Sequence, residues 1–260
     1  MKHLQKIISL TSVCILFMTF FSGCSGNKVH SISDLDGKII GVQLDTVGDT
    51  YASDIKGADV RRYFDGKEAV ADLAEGKLDA VIVDIEPAKV YVENNENVTI
   101  LDETFSEEEY AIAIKKGNTE LMDKINNALD ELSSDGTLDA IKANWIGENA
   151  TGKPYNFSYE STPTDGKLIM ATNATFPPYE SMDGENIIGF DIDMMKAVCH
   201  KLNKELVVND MDFDLVTGAV VKGDADVGAA GITITDERLK LVDFSNPYTT
   251  ATQVVIVRKD

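Results

Sequence analysis

The sequence has little cysteine and little histidine, with three residues of each among 260. The histidines, at positions 3, 30 and 200, are too few and too scattered to predict a metal site or a Ser-His-Asp arrangement. Cys199 and His200 are adjacent, but neighbours on a helix do not face each other, so no catalytic thiol is expected. Cys199 is predicted to be a buried helical residue. We expect no disulfide, no metal and no cofactor.

Basic residues are also scarce, since 24 Lys and Arg stand against 44 Asp and Glu and give a formal net charge of -20. Such a surface repels nucleic acid, which is therefore not an expected partner. Lysines and acids alternate along the predicted helices, as on any solvated surface. The acidity by itself indicates no particular ligand.

Long hydrophobic runs are missing as well. The apolar run from Ile7 to Phe21 has about 15 residues, fewer than the ~20 that span a bilayer. It follows Lys2 and Lys6 and precedes small residues, a pattern typical of an export signal. Residues 1–23 are therefore predicted to be a signal peptide.

The segment Phe21-Ser22-Gly23-Cys24 resembles the lipobox of bacterial lipoproteins, although Phe21 replaces the usual leucine. The resemblance implies that Cys24 is acylated and that residues 24–32 form a tether. The mature protein would then be extracytoplasmic and anchored to the outer face of the bacterial cell membrane.

From residue 33 onward, short apolar strands alternate with amphipathic helices, as is typical of parallel α/β architecture. Residues 148–167 are rich in turn formers and indicate a linker, after which a second α/β run begins. The segments EAVADLAEGKLDAVIVD and LVTGAVVKGDADVGAAG echo each other across the two runs. Because ligands of open α/β sheets lie beyond the carboxyl ends of the strands, two facing lobes would form a cleft.

Two clusters lie at such strand ends. In GITITDER, Thr235 can cap a short helix, whereas Thr233 and Arg238 are left to bind a carboxylate, which an arginine holds through two parallel hydrogen bonds. In the other run, the corner from Val42 to Gly48 offers helix N–H groups to an anion. Asp84 ends a buried strand there, and it either caps the next helix or accepts hydrogen bonds from an ammonium group.

The motifs KLIMATNATFPPYE, IIGFDIDMMKAV and AAGITITDER resemble the first half of the polar amino-acid-binding proteins of ABC importers, which are bacterial extracellular solute-binding proteins of family 3. The motifs ISDLDGKIIGVQLDT, LDAVIVDIEPA and IKANWIG resemble the second half. Since the halves stand in swapped order, the sequence resembles a circular permutant. The alternative is a gene-fusion or truncation relic that fits only by swapping halves between molecules. The resemblance covers nearly the whole predicted mature chain.

The resemblance implies a two-lobed periplasmic-binding-protein-like fold of type II, with a mostly parallel sheet flanked by helices in each lobe. It implies four segments: lobe 2 over 33–108, return helices on lobe 1 over 109–147, the permutation linker over 148–167, and lobe 1 over 168–260. It also implies a ligand-binding set of Arg238, Thr233, Gly231, Asp84, Thr46, Val47, Phe176, Asn173 and Gln43.

In that set, Arg238 and Thr233 would hold the α-carboxylate, with N–H groups around Thr46 and Val47. Gly231 and Asp84 would receive the α-ammonium group. Phe176 would cover the ligand side chain, unless it is a core residue. Asn173 and Gln43 would line the end of the pocket.

Two departures from the family pattern bear on the ligand. Family members usually have Gly-Thr-Thr where this chain has Asp45-Thr46-Val47, so one hydroxyl is lost and one negative charge is added. Binders of basic amino acids often have an acid where Asn173 stands, which favours an uncharged polar ligand such as glutamine. Asp45, in contrast, favours a basic ligand.

The leading hypothesis is a monomeric, lipid-anchored receptor that closes two lobes on an amino acid and delivers it to an ABC permease. One alternative is a sensor without transport. Another is a dehydratase-type enzyme, for which Glu180 is the only nearby proton-transfer candidate, although a surface role for Glu180 is the simpler interpretation.

Overall fold

The computed structural model describes residues 28–157 and 163–259. The predicted signal peptide, Cys24 and the start of the tether lie outside these residues, and so does part of the predicted linker. Within the described ranges, no helix is both long and apolar enough to cross a membrane.

The first lobe in chain order, predicted above as lobe 2, is built on a five-stranded sheet with the order β2-β1-β3-β13-β4. Its strands are β1 (Ile39–Gln43), β2 (Asp59–Tyr63), β3 (Ala80–Asp84), β4 (Val98–Tyr110) and β13 (Thr249–Arg258). Its helices are α1 (Val47–Asp54), α2 (Gly66–Ala74) and α3 (Ile85–Glu93), preceded by a 3-10 turn at Ile32–Leu35. Every residue of β3 is buried, as expected for a central strand covered on both faces.

The second lobe in chain order, predicted above as lobe 1, is built on a five-stranded sheet with the order β10-β6-β11-β5-β12. Its strands are β5 (Ala113–Lys115), β6 (Lys167–Thr172), β10 (Glu205–Asp210), β11 (Val227–Gly228) and β12 (Val242–Phe244). Its helices are α4 (Thr119–Ser134), α5 (Thr137–Trp145), α6 (Phe190–Lys201), α7 (Phe213–Lys222) and α8 (Asp236–Leu239). A small antiparallel sheet adds β7 (Thr175–Phe176), β8 (Glu180–Asp183) and β9 (Asn186–Ile188).

The two large sheets share one pattern of strand directions. In the first sheet, β13 is antiparallel to both of its neighbours, whereas β1 pairs in parallel with β2 and β3. In the second, β5 is antiparallel to both of its neighbours, and β6 pairs in parallel with β10 and β11. Each sheet is therefore mostly parallel, as predicted, with one reversed strand.

The reversed strands correct the expected lobe boundaries. β13 lies within the segment 168–260, which was predicted to be lobe 1, yet it pairs with β3 and β4 in the sheet of the lobe predicted as lobe 2. The chain therefore crosses between the lobes twice, after β4 and before β13. The run VVIV in β13 suits any buried strand, so the local sequence does not reveal which sheet it joins.

β4 runs through the largely acidic segment 102–109, whose composition has low strand propensity. In the structure this segment continues the strand and pairs with Thr249 to Thr252 of β13. Partners that are distant in the sequence thus override the local preference.

The predicted linker is anchored to the second lobe. The backbone N–H of Tyr155 donates to Asp193 Oδ2 at 2.7 Å, and Trp145 Nε1 donates to the same oxygen at 2.8 Å. Tyr155 and Phe157 pack against the main hydrophobic core. Cys199 is buried on α6, as predicted, and burial raises the pKa of its thiol to about 12.

Candidate functional site

A cleft between the lobes collects the predicted residues. Its empty volume is about 280 Å³, which includes space open to solvent. The lining consists of Gln43, Thr46, Val47, Asp84, Phe176, Phe213, Ala230, Gly231, Thr233, Arg238 and Gln253. Eight of the nine predicted ligand residues are among them, and the ninth, Asn173, contacts Gln43 from behind.

Arg238 forms one end of the cleft. Thr235 caps α8 by accepting from the N–H of Arg238 at 3.2 Å, and this places the guanidinium group under cover with only 9% of the residue exposed. Its Nη1 donates to Thr233 O at 2.9 Å and its Nη2 donates to Asp45 O at 2.8 Å. Burial lowers the pKa of Arg238, yet an arginine remains charged. No carboxylate of the described residues forms an ion pair with it.

Asp84 forms the other charged end, and its charge acts on Arg238. It closes β3 and is 5% exposed, and its Oδ1 accepts a hydrogen bond from the Tyr110 hydroxyl. Burial raises the pKa of Asp84 to about 7, and the charge of Glu108 adds to this rise. Among the described residues no Lys, Arg or His forms an ion pair with Asp84. Each of these two groups is therefore buried without a direct ion pair among the described residues, although the charges of Asp45, Glu108 and Asp84 act on Arg238 from a greater distance.

Gly231 is required by the packing beside these ends. Its φ of +56° lies in the left-handed region, where glycine has no steric cost. A Cβ atom there would lie 2.7 Å from Phe176 and 3.0 Å from Tyr110. Its N–H donates to Asp191 Oδ2 at 2.9 Å, which fixes the turn that leads to Thr233.

The amide of Gln43 lines the cleft, and the amide of Asn173 contacts it without lining the cleft. Backbone carbonyls set the orientation of both amides. Gln43 Nε2 donates to Phe64 O at 2.9 Å and to Asn173 Oδ1 at 2.9 Å. Asn173 Nδ2 donates to Met211 O at 3.0 Å. Since a carbonyl only accepts, neither amide can be reversed without losing a bond. Gln43 Nε2 thus donates both of its hydrogens to protein acceptors, so Oε1 is the atom of this side chain that can accept a hydrogen bond from a ligand.

The corner before α1 brings backbone rather than side-chain groups to the cleft. Thr46 is the N-cap of α1, and its hydroxyl donates to Gln43 O at 2.8 Å while accepting from the N–H of Asp49 at 3.3 Å. The N–H of Val47 is in the first turn, where helical N–H groups have no intrahelical partner. Asp45 has a φ of +64°, a conformation that suits the glycine usual in the family.

Aromatic rings cover the cleft. Phe176 lines it while belonging to the main hydrophobic core, and it stacks on Tyr179 with the ring centroids 5.4 Å apart. Phe213 also lines it and lies under the guanidinium group of Arg238, 5.4 Å from ring centroid to Cζ. The two rings give the cleft an apolar surface between its charged ends.

Three lining residues were missed in the sequence: Phe213, Ala230 and Gln253. Phe213 begins α7 just after β10, so an aromatic residue at a strand end was an available signal. Ala230 precedes Gly231 directly. Gln253 belongs to β13, whose pairing opposite Asp84 in the first large sheet has no local signal.

Glu180, on which the enzyme alternative depended, does not line the cleft. It is fully buried rather than on the surface, and burial together with the nearby Asp191 raises its pKa well above the ordinary value. Over the described ranges, no group of three or more His, Cys, Asp and Glu could hold a metal ion.

Two α/β lobes, crossed twice by the chain and enclosing a charged cleft, define a periplasmic-binding-protein fold. The chain belongs to the bacterial extracellular solute-binding proteins, family 3, whose family model matches residues 27–148 and 168–260.

The chain is similar to the arginine-binding extracellular protein ArtP of Bacillus subtilis, with 43% identity over 94 residues, 36% of this chain and 37% of that protein. It is 34% identical to the L-cystine-binding protein TcyJ of Escherichia coli over 130 residues, 48% of this chain and 49% of that protein. The matches thus span less than half the length of these relatives. Among solved structures, the arginine-, lysine-, histidine-binding protein ArtJ of Geobacillus stearothermophilus is 36% identical with a TM-score of 0.31, over 32% of this chain and 37% of that one.

Proposed function

We propose that this protein captures a polar L-amino acid between its lobes and delivers it to an ABC import permease. The observation that carries the proposal is the pair of buried groups, Arg238 and Asp84, which line one cleft without a direct ion pair to any described side chain. An α-amino acid supplies both missing partners at once, because it carries a carboxylate and an ammonium group on one carbon. Thr233, Val47 and Gly231 line the same cleft, and we assign Thr233 and the N–H of Val47 to the carboxylate and Gly231 to the ammonium group.

The lining residue Gln43 favours a ligand whose side chain has N–H donors. Gln43 has both of its own N–H groups engaged and offers Oε1, an acceptor. Arginine, histidine, lysine and glutamine carry donors at the end of their side chains, whereas glutamate carries only acceptors at neutral pH. This inference retains glutamine but does not single it out, and the named relatives bind arginine and cystine.

The chain organisation is part of the proposal. We infer a lipid anchor at Cys24, an extracytoplasmic location, a monomer and a circular permutation. The match to the family in two blocks, on either side of residues 149–167, supports the permutation. The pairing of β13 with β3 and β4 of its own chain supports a monomer.

A thermal-shift screen of the purified full-length chain tests the function. The probes are L-arginine, L-lysine, L-histidine, L-glutamine, L-cystine and L-glutamate, applied to the wild type, to Arg238→Gln and to the exposed control Arg61→Gln. A ligand at 100 times its Kd should stabilise the wild type and the control by about 2.7 kcal/mol. It should not stabilise Arg238→Gln. Stabilisation by none of the six, or equal stabilisation of all three proteins, would contradict the proposal.

A further inference from the structure

Glu108 is a buried carboxylate beside the cleft that the proposed ligand contacts do not explain. It lies on β4 opposite Ala251 of β13, and only 6% of it is exposed. Its Oε2 accepts from Thr233 Oγ1 at 2.9 Å and from Gln253 Nε2 at 3.4 Å. Its Oε1 is buried without a close hydrogen-bond partner among the described residues, and Tyr51 is the further side chain that donates toward the carboxyl group. Such a group calls for an explanation, because buried polar atoms are nearly always paired.

Glu108 joins two walls of the cleft. Thr233 belongs to the wall formed by the second lobe, and Gln253 pairs with Asp84 in the sheet of the first lobe. Glu108 itself lies near the point where β4 leaves the first lobe. A change at its carboxyl group therefore reaches contacts in both lobes through one hydrogen bond to each.

The charged and titratable groups around Glu108 come from several elements. They are Arg238 of α8, Asp84 of β3, Tyr51 of α1 and Tyr110 of β4. Arg238 and hydrogen bonds favour the ionised form of Glu108, whereas burial raises its pKa and is the larger effect. A second carboxylate held at Arg238 would raise this pKa further, because like charges oppose ionisation.

The hydroxyl group of Thr233 has one hydrogen to donate. While that hydrogen points to Glu108 Oε2, the hydroxyl offers only lone pairs to the cleft, and lone pairs repel a carboxylate. A protonated Glu108 could donate to Thr233 Oγ1 instead, and the Thr233 hydrogen would then be free to turn toward the ligand.

We propose that Glu108 is a positioning residue of this cleft, which takes up one proton when a ligand carboxylate binds at Arg238 and so converts Thr233 into a donor to that carboxylate. The proton comes from the buffer acid, which is left as its conjugate base. The proposal rests on the proposed function, since it requires a ligand with a carboxylate.

Titration calorimetry tests the proton count. The full-length wild type and Glu108→Gln are titrated with L-arginine and with L-glutamine, in two buffers of equal pH and different ionisation enthalpy. Glutamine at position 108 has a donor and an acceptor, as the protonated carboxyl group does. The wild type should take up more protons per ligand than the variant, and the ratio of wild-type to variant Kd should rise with pH by up to about tenfold per unit. Glu109→Gln, an exposed neighbour with the same change of charge, should match the wild type.

A second measurement uses the wild type alone and does not depend on a variant that folds. At a pH about one unit above the Asp84 pKa of about 7, infrared difference spectra on ligand addition should gain protonated-carboxyl absorption. Binding with equal proton uptake in wild type and Glu108→Gln, or without this gain, overturns the inference and leaves the proposed function intact. If neither amino acid binds and the thermal-shift screen is also negative, both this inference and the proposed function are overturned.

Discussion

The two ends of the cleft bury opposite charges by different means. Arg238 donates to two backbone carbonyls and lies over an aromatic ring, and its guanidinium group remains charged at any physiological pH. Asp84 is held by the neutral hydroxyl of Tyr110, and its pKa of about 7 lies within the physiological range. One end is therefore permanently charged, while the charge of the other depends on pH. The comparison implies that a change of pH alters the charge of Asp84 at the ammonium end but leaves the charge of Arg238 unchanged.

The largest expected effect comes from removing the charge of Asp84. Asp84→Asn keeps a similar shape and an acceptor for Tyr110, but offers a ligand ammonium group no counter-charge. Loss of one partner from a buried charge pair costs about 2–5 kcal/mol, so affinity for the best amino acid should fall at least about thirtyfold. Calorimetry with wild type and variant near pH 8, where wild-type Asp84 is mostly ionised, measures this loss.

The same pair of proteins gives the dependence on pH. As pH falls below about 7, wild-type Asp84 is protonated and affinity should decrease by up to about tenfold per unit, whereas Asp84→Asn should lack this decrease. Stability should change the other way. Because the folded pKa is raised above the ordinary value, Asp84 contributes stability at low pH that is lost as pH rises through about 7. If Asp84→Asn also loses affinity as pH falls below about 7, a group other than Asp84 causes that loss.

A smaller effect is expected at Asp45, whose carbonyl accepts from Arg238. Its φ of +64° is costly for a residue with a Cβ atom, so Asp45→Gly should raise the free energy of unfolding by about 0.5–1 kcal/mol in urea denaturation. Burial raises the pKa of its carboxyl group, and removing that group should also aid a ligand carboxylate modestly. Asp45→Asn removes the charge but keeps the Cβ atom. Equal stabilisation by both substitutions would show that the charge, and not the backbone, is responsible.

The parts of the site that follow from local sequence were predictable. Arg238 and Asp84 each stand at the end of a recognisable strand, and their motifs resemble those of a known family. Gly231 follows from the same motif, and the structure adds the reason, since no Cβ atom fits beside Phe176.

The parts that depend on distant pairing were not predictable. Glu108 stands in a run of three acids that looks like solvated surface, but as part of β4 it alternates inward with Tyr110 while Glu107 and Glu109 face outward. That period of two becomes visible only once the segment is known to be a strand. Gln253 was missed for the same reason, because β13 joins a sheet whose other strands lie far away in the sequence.

The most direct test of the central claim, that the cleft recognises both charges of an α-amino acid, compares ligands rather than variants. Calorimetry of the wild type near pH 8 would use the amino acid that stabilises it best, together with analogues that lack one charged group. For L-arginine these are agmatine, without the carboxylate, and 5-guanidinopentanoic acid, without the ammonium group. We predict that each analogue binds at least about thirtyfold more weakly, as expected when a buried charge loses its partner. An analogue that binds as tightly as the amino acid would contradict the assignment of the end of the cleft that it leaves unpaired.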